Sequence, residues 1–526
     1  MWLSTEANDI GNMITYAGTI KGSIKRFVKE DNTARAYMLL YEFINEYNNN
    51  SIKLLIYKNI YNANQIKQIE TLFNETMHKI YSNKKIIKRI YSIINSKDIP
   101  SEQRVRIFNL IGAVNNIDFI LNIDTGNKIS DDKVAILKQY IQTITNKITH
   151  ELLDQRVNLE DFVKLIVTKY KFAKVLGYNN FWEIANHSHK LDIKSYILSI
   201  IDKIKPIISS FIDRYNAYTP INTYEFNRME LSQYCLSPLS AIRVLINMFE
   251  QYYGITCNII ESETRLWTDD VMIMEILYDN RKIGTVYMDL FHRSGKIPHI
   301  ICYNISNANT SILFANFTSI QNDLCDIDTI VNIGQQLSYG ILSLFYRIHN
   351  THLYTNVFES MTEFMIYDNI FMLFENTELL GILRDNMIAK IYNYMTESLF
   401  EMVLYTSDEF VNICRKHNDN KQQYSELVIK LFNQMIGRYF GQHIASNIAM
   451  KSINDNLIMA QTSIMSCRTY TKLLGYMTGY ALYSIIRNER HKFIDSFMKF
   501  DRMNLEKSLN SYIKQHPSDN IFTVIS

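Results

Sequence analysis

A mainly helical protein with one small β-sheet set among the helices is the fold class this sequence predicts, and three observations predict it. Gly (16) and Pro (6) are scarce in 526 residues, which removes the commonest helix breakers. Apolar residues recur at three- and four-residue spacing along most of the chain, the period of a helix with one buried face. Only the stretch that follows Trp267 changes character, to short runs rich in Ile, Val, Met, Tyr and Phe separated by turn residues.

Taken in order, residues 35–47, 64–82, 104–122 and 132–153 read as amphipathic helices, with Asp131 and Asp132 marking the start of the last. The asparagines at 48–50 and the stretch 96–100 read as loops. Helices continue to about Tyr215, and Pro220 falls in a connection. Residues 271–278 and 283–291 read as two strands joined by a turn at 279–282, and 297–305 and 311–318 as two more, giving a sheet of about four strands over 267–318. From Asp328 to Tyr512 the pattern is helical again. The segment 328–346 sorts its residues cleanly. Ile330, Ile333, Leu337, Ile341 and Leu344 share one face, and Asn332, Gln335, Tyr339 and Tyr346 the other. Two domains are expected, 1–220 as a helical lobe and 221–526 as a lobe holding the sheet and this helix.

Composition narrows the function. Lys plus Arg (55) nearly balance Asp plus Glu (53), so the basic surplus of a dedicated nucleic-acid binder is missing. Cys235, Cys257, Cys302, Cys325, Cys414 and Cys467 are widely spaced and form no C-x-x-C pair, which reads as reduced, buried thiols. The N-terminus has no basic segment followed by an apolar run, and no stretch approaches 18 uncharged apolar residues. An intracellular, cytoplasmic protein without a membrane span is the expectation, and the heavy use of Ile, Asn, Lys and Tyr is that of AT-rich coding. No phosphate-binding G-x-x-x-x-G-K-[ST] loop and no G-x-S-x-G nucleophile elbow occurs. His187 and His189, in a junction without neighbouring ligand types, read as surface polar residues.

Several segments, in a fixed order, resemble the thimet oligopeptidase and oligopeptidase F family of zinc metallopeptidases. Lys171-Phe-Ala-Lys-Val-Leu-Gly-Tyr-Asn-Asn-Phe resembles the family's A-x-L-L-G-Y junction. Leu231-Ser-Gln-Tyr-Cys-Leu-Ser-Pro-Leu, continued by Tyr253-Gly254-Ile255, resembles its Y-F-P-L to L-F-G-I segment. Trp267-Thr-Asp-Asp-Val resembles W-H-x-D-V with Thr268 in place of His. The most specific match is Gly284-Thr-Val-Tyr-Met-Asp-Leu-Phe-His-Arg-Ser-Gly-Lys, where Gly284, Tyr287, Asp289, Leu290, Arg293, Gly295 and Lys296 all fit the family pattern. Leu313-Phe-Ala-Asn-Phe-Thr resembles the strand that precedes the family's metal helix. The resemblance implies a large, two-lobed helical ellipsoid with a central channel and a small sheet beside the metal helix.

The same resemblance implies that the zinc site is degenerate. The family carries H-E-x-x-H there: two His one turn apart bind zinc, and the Glu acts as general base on metal-bound water. In this chain Gln335 and Tyr339 stand at the His positions and Gln336 at the Glu position. An amide is a poor zinc ligand and no general base near neutral pH. Val357-Phe-Glu-Ser-Met-Thr resembles the third-ligand segment, which makes Glu359 the remnant ligand, with Glu363 as the alternative. Tyr476, Tyr480 and Tyr483 match the family's G-Y-x-x-x-Y-x-x-Y loop, whose hydroxyls bind substrate, while Thr471 replaces a His. The implied protein is a pseudopeptidase that needs no zinc and binds short peptides or a protein partner. Two alternatives stand beside it. One is an active metallo-oligopeptidase with a rearranged metal site, built on His349 and His352 with Glu359. The other is a structural or interaction protein that keeps only the fold.

Overall fold

The computed structural model describes residues 6–60, 64–81, 159–186, 193–215, 231–261, 266–374 with short breaks, 378–407, 421–441 and 469–488, together with isolated positions between them. The helices expected at 104–122, the start at Asp131 and Asp132, Pro220, His187, His189, Tyr346 and His349 lie outside these residues. Among the described residues the chain is mainly helical with a small sheet. It forms two compact units, one of residues 1–114, 232–374 and 478–517, the other of 115–231, 375–477 and 518–526. Both units draw on segments from before and after residue 220.

In the first unit, α1 (Glu6–Lys29), α2 (Thr33–Ile60) and α3 (Asn64–Tyr81) form the opening helices. The asparagines at 48–50 correct the sequence reading, because they lie inside α2 rather than in a loop. The apolar stripe resumes beyond them at Leu54, Ile56 and Tyr57, all buried. Burying those residues outweighs the modest helix cost of Asn, and the Asn50 amide donates back to the Glu46 carbonyl at 2.8 Å. The second unit contains α4 (Leu159–Val175), α5 (Phe181–Asn186) and α6 (Ile193–Tyr215).

Back in the first unit, a two-residue strand β1 (Cys235–Leu236) leads into α7 (Pro238–Tyr253). The local sequence fixes both ends of this helix. Ser237 caps it by accepting from the Ser240 backbone N–H, Pro238 occupies the first turn, and Gly254 ends it at φ 70°. Then come β2 (Thr256–Ile260), β3 (Met272–Tyr278), β4 (Arg281–Phe291), β5 (Ile301–Ile305) and β6 (Thr310–Phe317). They form one five-stranded sheet in the order β2-β3-β4-β6-β5, parallel only between β4 and β6. Asp279 and Asn280 make the β3–β4 turn at positive φ, which Asp and Asn tolerate. The sequence reading had four strands. The fifth, β2, is a mostly exposed edge strand without alternation in its sequence, and only its pairing with β3 defines it.

Both faces of the sheet are covered, which is why its strands read as nearly continuous apolar runs. On one face, Tyr287, Ile301, Tyr303, Ile305, Ile312 and Phe314 join the core of α1–α3. On the other lies α8 (Ile327–Phe345), which follows the bridge strand β7 (Cys325–Asp326). After α8 come α9 (His352–Phe374), α10 (Glu378–Thr406), α11 (Lys421–Phe440) and α12 (Tyr470–Asn488). The two edge strands are blunted in the same way, by a helix side chain that accepts an outward backbone N–H. Glu250 of α7 takes the Cys257 N–H at 2.8 Å, and Gln336 of α8 takes the Cys302 N–H at 3.0 Å.

Close contact sets the seat of α8. A Cβ added at Gly340 would lie 2.7 Å from the Cys302 sulfur and 3.4 Å from the Ser311 Cβ. The helix reaches the sheet there because residue 340 has no side chain, and the Ser311 hydroxyl donates to the Gly340 carbonyl at 2.9 Å. Gly340→Ala should therefore cost about 1–3 kcal/mol of stability by overpacking. The cost should be smaller in a Cys302→Ala background, where the nearest atom is gone. Urea unfolding of the four proteins of this cycle measures the coupling, and strictly additive costs would mean that the two side chains do not compete for one space.

Candidate functional site

The expected division of α8 into two faces is present. Ile330, Ile333, Leu337 and Ile341 are fully buried and Leu344 nearly so, Asn332 is exposed, and Gln335, Gln336 and Tyr339 are half-buried. Gly334 brings this helix against α7 and α9. A Cβ there would fall 2.6 Å from the Ile366 Cδ1 and 2.9 Å from a Leu245 methyl.

Of the three residues expected at the ligand and base positions, Gln335 meets the backbone of Glu359. The Gln335 amide Nε2 donates to the main-chain carbonyl of Glu359 at 3.1 Å. Gln336, one residue on and about 100° around the helix, turns instead to the sheet edge at Cys302. Ser338, on the following turn, shares a 2.7 Å hydrogen bond with the buried Tyr253 hydroxyl of α7, which also meets Thr362 of α9. Glu359 and Glu363 lie one turn apart on α9, a helix apolar nearly all round. Phe358, Met361, Phe364, Met365, Ile366 and Tyr367 are all buried there. Burial, and then the neighbouring Glu363 carboxylate, push the Glu359 carboxyl up to about 7.

As a metal site this donor set is poor. Gln335 and Gln336 offer amides that are already engaged with backbone groups, and Tyr339 offers a phenol. Among the described residues no three His, Cys, Asp or Glu side chains come together in a way that could hold a metal ion. His352 opens α9, and His349 lies outside the described residues. Thr268, at the position of the W-H-x-D-V histidine, has a buried hydroxyl without a hydrogen-bond partner.

The three tyrosines all sit on α12 and are all buried, in packed surroundings. Tyr476 packs edge-on against Tyr394, with ring centroids 5.7 Å apart. Tyr480 packs edge-on against Phe364 at 5.0 Å, and Tyr483 lies 6.0 Å from the same ring. Gly479 permits this approach, since a Cβ there would lie 2.7 Å from the Val357 carbonyl oxygen and 2.8 Å from the Met361 nitrogen. The Tyr483 hydroxyl is hydrogen-bonded to Asp368, and burial raises its pKa. Asp368 also accepts from Tyr252 at 2.8 Å and pairs with Arg487 at 3.1 Å. Thr471 is buried at the start of the same helix.

Asp368, Tyr252 and Arg487 were not singled out in the sequence. Helical spacing gave one signal, because Arg487 stands one turn after Tyr483. The second partner, Asp368, is distant in sequence and only the packing of α9 on α12 supplies it.

Glu359 makes the site sensitive to pH. Its carboxyl holds its proton more tightly in the fold than in the unfolded chain, where the pKa is about 4.3. The contribution to folding is therefore fully present below about 4.3 and is lost as the pH rises through about 7. Glu359→Gln should raise Tm over the wild type at pH 8, with the gain shrinking at pH 5. A gain of equal size at both pH values would show that the Glu359 charge is not what the fold resists.

Comparison with known proteins adds a family resemblance. The profile described as Peptidase family M3 matches residues 136–331 and stops just short of Gln335. No curated protein matches the chain. A structure described as an oligoendopeptidase F, solved at 3.1 Å, superposes with a TM-score of 0.53 at 12% identity, covering 99% of this chain and 96% of the other. One from Bacillus anthracis str. Ames, also described as an oligoendopeptidase F, gives 0.51 at 12% identity, with 100% and 96% covered. At this identity the superpositions speak for the fold. The chain is thus similar to peptidase family M3 over residues 136–331 and shares the fold of these two structures.

Proposed function

We propose that this protein is a catalytically inactive M3 peptidase relative, a pseudopeptidase that binds short peptides or an extended segment of a protein partner. One observation carries the reading. The three positions that would supply zinc ligands and general base are Gln335, Tyr339 and Gln336, with the Gln335 Nε2 and the Gln336 Oε1 bonded to backbone groups. Metal-assisted hydrolysis needs three protein ligands, an open coordination position and a base. Glu359, with Glu363 beside it, supplies carboxylate alone. Peptides are the ligand class that the family relation brings. Among the described residues no helix is long and apolar enough to cross a membrane.

The purified protein should contain no stoichiometric zinc and should not cleave quenched fluorescent peptides. Gln335→His with Tyr339→His, using Glu359, should create measurable zinc affinity, about 10–100-fold below a native site because the supporting hydrogen bonds are not in place. Elemental analysis and zinc titration test both statements. One zinc per wild-type chain with chelator-sensitive cleavage would defeat the inactive reading. A folded double mutant that binds no zinc would defeat the assignment of α8 as the former metal helix.

A second reading, a structural or interaction protein that keeps only the fold, has the burial of Tyr476, Tyr480 and Tyr483 on its side. The two readings separate on Tyr480→Phe with Tyr483→Phe. If these hydroxyls serve a peptide, affinity for a mixed oligopeptide library drops several-fold, as expected for bonds worth about 0.5–1.5 kcal/mol each, and Tm holds. If they serve only the contacts of α12 with α9, Tm falls and binding stays the same. Thermal shift and titration on one sample decide between them.

A further inference from the structure

The two adjacent glutamines of α8 point to different neighbours and make bonds of opposite sense. Gln335 donates, through Nε2, to a carbonyl in the middle of α9. Such a carbonyl keeps a second lone pair after its own helical bond, so it can accept without disturbing its helix. Gln336 accepts, through Oε1, from the N–H of Cys302 on the edge strand β5. Cys302 lies on an edge strand and is buried, so losing the acceptor would remove a bond from a donor held away from water.

We infer that Gln335 and Gln336 form a structural clamp, which fixes α8 between the sheet edge at β5 and the middle of α9. Two further bonds of the same helix point the same way. Ser338 holds Tyr253 of α7, and the Gly340 carbonyl holds Ser311 of β6. The stretch 335–340 thus reaches α7, α9, β5 and β6 each by a specific hydrogen bond. The idea that the clamp replaces a metal cross-link between α8 and α9 rests on the proposed reading of α8 as a former metal helix. The clamp itself rests on the bonds alone.

The clamp makes donor and acceptor roles unequal, and substitution by glutamate exposes this. A carboxylate at 336 still accepts from the Cys302 N–H. A carboxylate at 335 cannot donate, faces a carbonyl oxygen, and adds negative charge beside Glu359 and Glu363. On the full chain at pH 8, thermal unfolding of Gln336→Glu should stay within about 1 °C of wild type, whereas Gln335→Glu should lose about 2–4 °C or more. Gln335→Met and Gln336→Met, which keep the shape and remove both roles, should each lose about 2–4 °C. Equal Tm changes for the two glutamate variants, or unchanged Tm for both methionine variants, would overturn the clamp. Should a methionine variant not fold, the glutamate pair decides alone. Zinc content of the wild-type sample is read separately. Zinc found there sinks the pseudopeptidase proposal, and equal glutamate variants in a zinc-free sample sink the clamp only.

Discussion

The first unit is organised around one buried carboxylate, that of Asp289 on β4. Its side chain is almost fully enclosed and accepts from four donors on three residues. Trp267 donates Nε1 at 2.7 Å, Arg293 grips both oxygens at 2.7 and 2.5 Å, and the fully buried Lys296 ammonium donates at 2.7 Å. Lys296 spends its other bonds on the main-chain carbonyls of Asp289 and Phe291, and Arg293 reaches the Asn59 carbonyl near the end of α2. One carboxylate therefore ties the sheet to the loop that follows it and to the opening helices. Removing Asp289 would leave the buried Lys296 ammonium without its carboxylate, which is far more costly than the pair is stabilising. The motif that resembles the peptidase family most specifically, from Gly284 to Lys296, is physically this network.

Helix α8 is held chiefly by close packing. What seats the helix is packing: Gly334 against α7 and α9, Gly340 against β5 and β6, and the stripe from Ile330 to Leu344 in the core. The hydrogen bonds of Gln335 and Gln336 add to this packing. The half-buried face holds amide hydrogen bonds at low cost, because an amide both donates and accepts and carries no charge that must be desolvated. Glu359 is the contrasting case, a carboxylate left near a second carboxylate on an apolar helix, with its proton held up to about 7 as a result.

Elements with strong local signals were legible. The helix of 328–346 and the hairpin of 271–291 lie within a residue or two of their expected ends, since periodicity, the Asp279-Asn280 turn and the flanking residues all agree. Where a local signal competed with a distant one, the distant one won. Three asparagines look like a loop, yet the buried residues on either side carry α2 straight through them. The strand β2 has no pattern of its own and exists because β3 offers it a ladder. Gln335 was legible as a departure from a metal ligand, but its actual partner, a carbonyl on α9, belongs to a residue 24 positions away.

By itself, then, the sequence determined the helix-rich class, the place of the sheet and the two faces of α8, because each is written in local spacing or in residue chemistry. Only the tertiary structure decided what individual residues bond to. It set Gln335 on α9, Gln336 on the sheet edge, Tyr483 on Asp368, and the interleaving of chain segments within each compact unit. The physical reason is that a hydrogen bond needs its two groups within about 3 Å, and for groups distant in sequence that separation is fixed by how helices and strands pack. Residue type at one position states which bonds are possible, and packing selects the one that is made.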